Sequence, residues 1–402
     1  MKQTLGVGAV LLALSAALVA FGVFSLQRLT PDAPSADDAD LRPAAATAGP
    51  EDAYPDFVKM AAALKLAAPE RELIGKQDES RTPDLAAVEP LIARNAEVLS
   101  HFAAFSRRTR FTDANYGDLD KISFETPVPQ FFPLVCAARL SSLRAAALLE
   151  QGRALEALEE ALMIMDAGQV MLRSDQPLIT VLVGMLVSDI GARRARDVIV
   201  RGTLDQAGLS NASRRLSAQQ GGVPALQAGL RFEYLIQSHM IDHMSENAVK
   251  GPDGRWYYGL AARSRYFYQP MRTRALYAER FRRLVAEAAK PCAQANFIDV
   301  PAPVDARPNV LGRVFFNMAF PRYDKLYVRR CESGFRVSAA LSAAALASYR
   351  RDHRRWPATL NDLVPGYLAS VPLDPFTGAA LLYSPETGEV HSAGKDADGK
   401  AL

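Results

Sequence analysis

A mainly α-helical protein is expected from this chain: an N-terminal transmembrane helix, a helical bundle or short α-solenoid, and a C-terminal long helix carrying a small antiparallel β-sheet. Three observations predict it. Leu5 to Leu26 is a run of 22 residues without a charge. From Tyr54 onward, apolar residues recur at helical spacing. From Tyr349, a helix end, a capped short turn and two strand patterns follow in order. Composition agrees, because 49% hydrophobic and 23% charged residues fit a folded chain. A net charge of +3 supplies no global field for nucleic acid, which is therefore not an expected partner.

The uncharged run is long enough to cross a bilayer once. Lys2 precedes it, and Asp32, Asp37, Asp38 and Asp40 follow it beyond Arg28. Residues 1–27 therefore read as a single-pass anchor in the cytoplasmic membrane, with the bulk of the chain on the exported (periplasmic or extracellular) side. A cleaved signal peptide would have a shorter apolar core ending at small residues, whereas here Phe21 to Phe24 continues the run. Residues 28–53 are rich in Ala, Pro and Asp and read as a disordered linker, holding the folded part away from the bilayer.

Residues 54–290 form the helical domain. Thr82-Pro83-Asp84 is a start signal with a capping hydroxyl, and Leu85, Val88, Ile92, Leu99 and Phe102 make one apolar face, with Pro90 bending the helix or delaying its start. Leu134 to Leu148 is a stripe that ends at Gly152, and a second helix starts at Ala154. Its small-residue turn resembles a tetratricopeptide-type hairpin over about residues 137–162, without a recurring period. Further helices span Pro177–Val200 (Leu178, Leu182, Met185, Leu186 and Ile190 inward), Leu204–Gln219, Ala225–Val249 and Pro270–Ala289. Residues 291–322 read as a proline-rich connector, and 323–402 as the terminal helix plus small sheet, the helix running to His353.

Three cysteines cannot all pair within one chain. Cys292 and Cys331 could join the connector to the last helix, while Cys136 sits in an apolar helical pattern and reads as a buried small hydrophobe.

Two stretches invite chemical readings. His239 and His243 stand at i and i+4, a spacing that lets both reach one zinc ion from a helix face. The string H-M-I-D-H resembles inverted zinc peptidases with Asp242 in place of Glu, which implies a metal-dependent hydrolase as an alternative function. Two surface histidines explain the same spacing. Arg255 to Arg283 holds eight arginines and one acidic residue, interleaved with aromatics. Arg255, Trp256, Arg263, Arg265, Arg272 and Arg274 are its candidate surface for an anionic lipid, a polymer or an acidic partner. Tyr277, Phe281 and Leu284 equally read as a core-facing helix stripe with the arginines in water or ion pairs. No phosphate loop, nucleophile elbow or paired CxxC motif is present.

The C-terminal order is more specific. Tyr349, Trp356-Pro357, Leu360, Leu363, Tyr367-Leu368, Pro372, Asp374-Pro375, Gly378, Tyr383 and Ser392-x-Gly394-x-Asp396 resemble the C-terminal part of type II secretion major pseudopilins. The resemblance covers about residues 323–402 and implies one long helix with a small sheet. It also implies calcium as the one possible cofactor, held by Ser392, Asp396 and Asp398. This chain lacks the family's N-terminal processing site, and a long helical body separates its anchor from this module. The expectation is an anchored, exported helical scaffold or interaction protein of the cell envelope, with an envelope protein as partner and no catalysis.

Overall fold

The computed structural model describes residues 31–34, 37–44, 49–80, 82–122, 125–128, 130–219, 225–247, 265–297, 301–318, 323–396 and 399–402, together with Ser15 and Gly22. The side chains of 225, 243–247 and 324 are excepted. The expected anchor at 5–26 lies outside the described residues but for those two. The protein is mainly helical, with twelve α-helices and one two-stranded antiparallel sheet among the described residues.

Four short helices come first: α1 (Tyr54–Ala63), α2 (Ala68–Glu79), α3 (Leu85–Arg94) and α4 (Ala96–Phe105). The single helix expected around Pro90 is thus two helices, and the break falls at Asn95. Pro90 stays inside α3 as its sixth residue, where its missing N–H leaves the Ala86 carbonyl without that helical donor. Asn95 is fully buried; its Oδ1 accepts from the Lys65 amide at 2.8 Å, and its Nδ2 donates to the Leu91 carbonyl at 2.9 Å. These side-chain bonds are made where the Asn95 amide is shared between the Leu91 and Ile92 carbonyls, both at 3.2 Å, and the helix bends from α3 into α4. The cap is also two residues later than expected: Asp84, rather than Thr82, accepts from the Ala87 amide.

The centre is built by α5 (Phe132–Glu150), α6 (Ala154–Leu172) and α7 (Leu178–Arg201). Gly152 turns α5 into α6 with φ 77° and open space where a Cβ would sit, so the left-handed turn alone requires glycine here. Among the described residues α5 is the one helix long and apolar enough to cross a membrane, but 67% of that stretch is buried in the protein, as in a core helix. Three levels of α7 face three cores. Leu178, Val181 and Met185 meet one, Val183, Val187 and Ile190 a second, and Ala192, Ala195 and Val198 a third. Leu186, expected inward, is 41% exposed, because it lies between these faces.

Next come α8 (Gln206–Ala218), α9 (Ala225–Asn247), α10 (Pro270–Ala289), α11 (Val310–Met318) and α12 (Tyr323–His353). The connector expected at 291–322 is not structureless: α11 lies within it and buries Phe316 against Tyr277 at 5.1 Å between ring centroids. Cys292 and Cys331 are bonded, with Cα atoms 5.7 Å apart, and Cys136 is free and buried. Burial pushes the Cys136 thiol up to about 11, which leaves it inert as a nucleophile.

After α12 the chain turns at Arg354 (φ 57°), caps the short 3-10 turn Leu360–Leu363 with Thr359 and Asp362, and forms β1 (Leu382–Ser384) and β2 (Glu389–His391). Register pairs Leu382 with His391 and Ser384 with Glu389. Gly388 carries φ 75°, and a Cβ there would lie 2.6 Å from the Trp356 ring, so the hairpin turn rests flat on that indole. This module is not a separate body. Phe335, Ala340, Leu341, Ala344, Leu360 and Leu363 share one core with Leu158, Leu162, Val198 and Leu216.

The expected linker also differs. Among its described residues, Leu41 is 1% exposed, Asp40 holds Arg282 at 2.7 Å, Tyr234 donates to Asp38, and Arg42 holds Asp120. A polar stretch cannot bury enough apolar surface to order itself, but here α9 and α10 supply cations and donors for its carboxylates.

Candidate functional site

A groove of about 1290 Å³ lies between α7, α12 and the β1–β2 hairpin. Its chemistry comes from two helix ends. The C-terminal half of α7 reads A-R-R-A-R-D-V-I-V-R and lines the groove with Arg193, Arg194, Arg196 and Arg201; α12 adds Arg336, Arg350 and Arg351. Asp78, Glu79, Asp197 and Glu389 are the carboxylates on the same wall, so cations outnumber them.

The arginines divide by depth. Arg194 is 5% exposed and fully engaged: its Nε donates to Ser142 Oγ at 3.0 Å and its Nη1 to Asp197 at 3.0 Å. Buried Asp78 also takes Arg193 at 3.2 Å. Deeper between α7 and α12, Asp189 accepts from Ser333 Oγ at 2.7 Å and faces Arg336, whose other arm holds buried Glu332. Burial pushes the Asp189 carboxyl up to about 6 despite the Arg336 charge. These pairs are scaffolding, since removing one partner would strand a buried charge.

The outer arginines are different. Arg350 and Arg351 are exposed and hold no carboxylate among the described residues. Arg350 lies 4.5 Å over the Trp356 ring, and Arg351 donates to the Leu204 carbonyl at 2.8 Å. Both guanidinium planes are thus positioned while their charge stays open toward the groove, which can hold a carboxylate-bearing or phosphate-bearing ligand. The α7 arginines were not singled out by the sequence reading. Their signal was the clustering of four arginines in one helix end.

The sequence-predicted sites lie elsewhere. His239 is half-buried on α9 with its Nδ1 against the Ile122 carbonyl, whereas the His243 side chain lies outside the described residues. Asp242 is held by Arg274. No group of three His, Cys, Asp or Glu residues able to hold a metal occurs among the described residues. In the tail, Ser392 donates to Asp374 at 2.9 Å, and buried Asp374 also takes the amides of Phe376 and Ala393. Asp396 closes a turn by accepting from the Lys400 amide at 2.8 Å, and Asp398 lies outside the described residues. Ser392 and Asp396 therefore face separate partners. Arg255, Trp256 and Arg263 lie outside the described residues, Arg265 and Arg272 are exposed, and Arg274 is half-buried on Asp242. Tyr277 and Phe281 are fully buried. Arg280 lies over the Phe316 ring at 4.9 Å, and burial lowers its guanidinium to about 10.

One half-buried acid stands apart from the groove. Glu233, on α9, accepts from the Leu178 amide at the first turn of α7, and burial pushes its carboxyl up from 4.5 to about 7. Tyr116 and Tyr323 lie near it. A raised acid contributes its stability fully below 4.5 and has lost it once pH has risen through about 7, because between these values the folded state holds a proton that the unfolded chain has released. Glu233→Gln is therefore expected to match the native protein near pH 5 and to exceed it near pH 8 by about 1–3 kcal/mol. Denaturant melts at the two pH values check this; equal offsets at both would refute it.

No family model matches the chain, and no curated protein or solved structure compared with it matches either.

Proposed function

We propose that the protein is a membrane-anchored scaffold of the cell envelope that captures an acidic segment of a partner protein in the groove between α7, α12 and the hairpin. The observation that carries this reading is the pair Arg350 and Arg351, held in place by Trp356 and the Leu204 carbonyl with their charge open to a groove of about 1290 Å³. Arginine on an aromatic face at a concave surface is the composition of a binding hot spot. The exported location rests on the uncharged run at 5–26 and on the Cys292–Cys331 bond, which belongs to an oxidising compartment. The C-terminal module is read as a pseudopilin-like helix plus sheet that serves as one wall of this groove. The role assigned is binding, with no reaction.

The test is capture of partners by the intact anchored protein, compared with Arg350→Glu plus Arg351→Glu. Both side chains are exposed, so the variant should fold. Its retention of the partners held by the native protein should fall roughly tenfold or more at low salt. Equal retention overturns the groove as the site. A reporter fused after Leu402 is expected to be active only outside the cytoplasm.

A further inference from the structure

The stretch between anchor and body is tied down within a few residues of the membrane. Helix α10 begins at Pro270, and its N-cap residue, Gln269, makes no side-chain cap bond. The first free amides of such a helix end need acceptors. Asp32 supplies them from the other end of the chain: its Oδ2 accepts from Met271 at 3.0 Å and its Oδ1 from Arg272 at 3.1 Å. The next residues continue the clasp, with Arg282 gripping Asp40 and the Asp37 carbonyl, and Leu41 buried beside α9 and α10.

Chain length then sets a distance. Five residues separate Leu26, the end of the uncharged run, from Asp32, which makes six steps along the chain. At roughly 3.3–3.6 Å per residue they reach about 20 Å at full extension. The headgroup layer itself occupies about 5–8 Å of that. The N-terminal end of α10 cannot be far from the bilayer, whatever path those residues take.

The surface at that end suits the position. Arg265 and Arg272 are exposed and hold no carboxylate among the described residues, and Phe267 is 43% exposed. The turn bearing them is fixed rather than loose, because the Tyr266 carbonyl accepts from Asn309 at 2.7 Å and the Phe267 carbonyl from Leu311 at 2.8 Å. An exposed aromatic between two arginines matches the boundary between headgroups and acyl chains.

We infer that the strap at Asp32–Leu41 seats the N-terminal end of α10 on the bilayer, with Arg265, Phe267 and Arg272 against anionic headgroups. The inference rests on the anchored, exported reading above, and it sets the orientation of the body, leaving the groove free of the contact.

A nitroxide at Ala275→Cys tests it in the full chain. Ala275 is exposed one turn along α10, and the native thiols do not compete: Cys136 is buried, and the other two are bonded. In vesicles of phosphatidylcholine with phosphatidylglycerol, a water-soluble nickel chelate should collide with this label several-fold less often than with a label at Thr387→Cys on the hairpin. Arg265→Glu with Arg272→Glu should abolish the difference, and Asp32→Asn should do so through the strap. Equal collision at 275 and 387, in protein that resists alkaline extraction, overturns the seating while leaving the anchor intact. Extraction of the full chain by alkali overturns the anchor itself.

Discussion

Gly168→Val is expected to unfold the central helix pair. Helices α6 and α7 approach so closely that a Cβ on Gly168 would stand 2.7 Å from the Ser188 amide nitrogen and 2.8 Å from the Gly184 carbonyl oxygen. From the other side, a Cβ on Gly191 would meet the Met165 nitrogen at 2.7 Å and the Ala161 carbonyl at 2.8 Å. These neighbours are backbone atoms of a packed helix, so they cannot swing aside as a long side chain does. Relief requires separating the two helices, and that loosens all three cores that meet on α7. Overpacking a core ordinarily costs about 1–3 kcal/mol, and this site lies at or above the upper end, against a whole-domain stability of about 5–15 kcal/mol. Gly366→Ala is the control. Nothing lies within 4 Å of a Cβ there, so its melt should stay within about 0.5 kcal/mol of the native protein. Comparable stability for Gly168→Val and Gly366→Ala in denaturant melts would refute the close approach.

That close approach also shows where sequence reasoning stops. Helices with strong local signals were legible: the bounds expected for Pro270–Ala289 and for the terminal helix at Tyr323–His353 agree with α10 and α12. Proline at or just beyond one end and a continuous apolar stripe marked both in the sequence. The break at Asn95 was not legible, because it depends on the Lys65 backbone thirty residues earlier. The strap was hidden for a similar reason. Its composition is that of a linker, and order comes from amides and arginines more than two hundred residues away. Of the sites, the isolated motifs were easy to see, and of these Ser392 and Asp396 bond different partners. The groove draws on residues from Asp78 to Leu402, so each wall looked like an ordinary charged helix surface.

Breaking the Cys292–Cys331 bond is the second large effect expected. The bond joins the residues after α10 to the early turns of α12 across a separation of 39. Around it, Arg330 donates to the Ala288 and Lys290 carbonyls at 3.0 and 2.8 Å, and Phe297 stacks on Tyr327 at 5.5 Å. The contact therefore persists without the bond, and what is lost is mainly the restriction of the unfolded chain. Cys292→Ser with Cys331→Ser should cost about 2–4 kcal/mol, and a reductant should lower the native protein by a similar amount while leaving the double variant unchanged. The same bond reports on location. Protein alkylated in the cell, then denatured, should expose one reactive thiol, Cys136, if the body lies in an oxidising compartment. Three reactive thiols would place the body on the reducing side, and the exported scaffold reading would fall even though the fold and its groove stood.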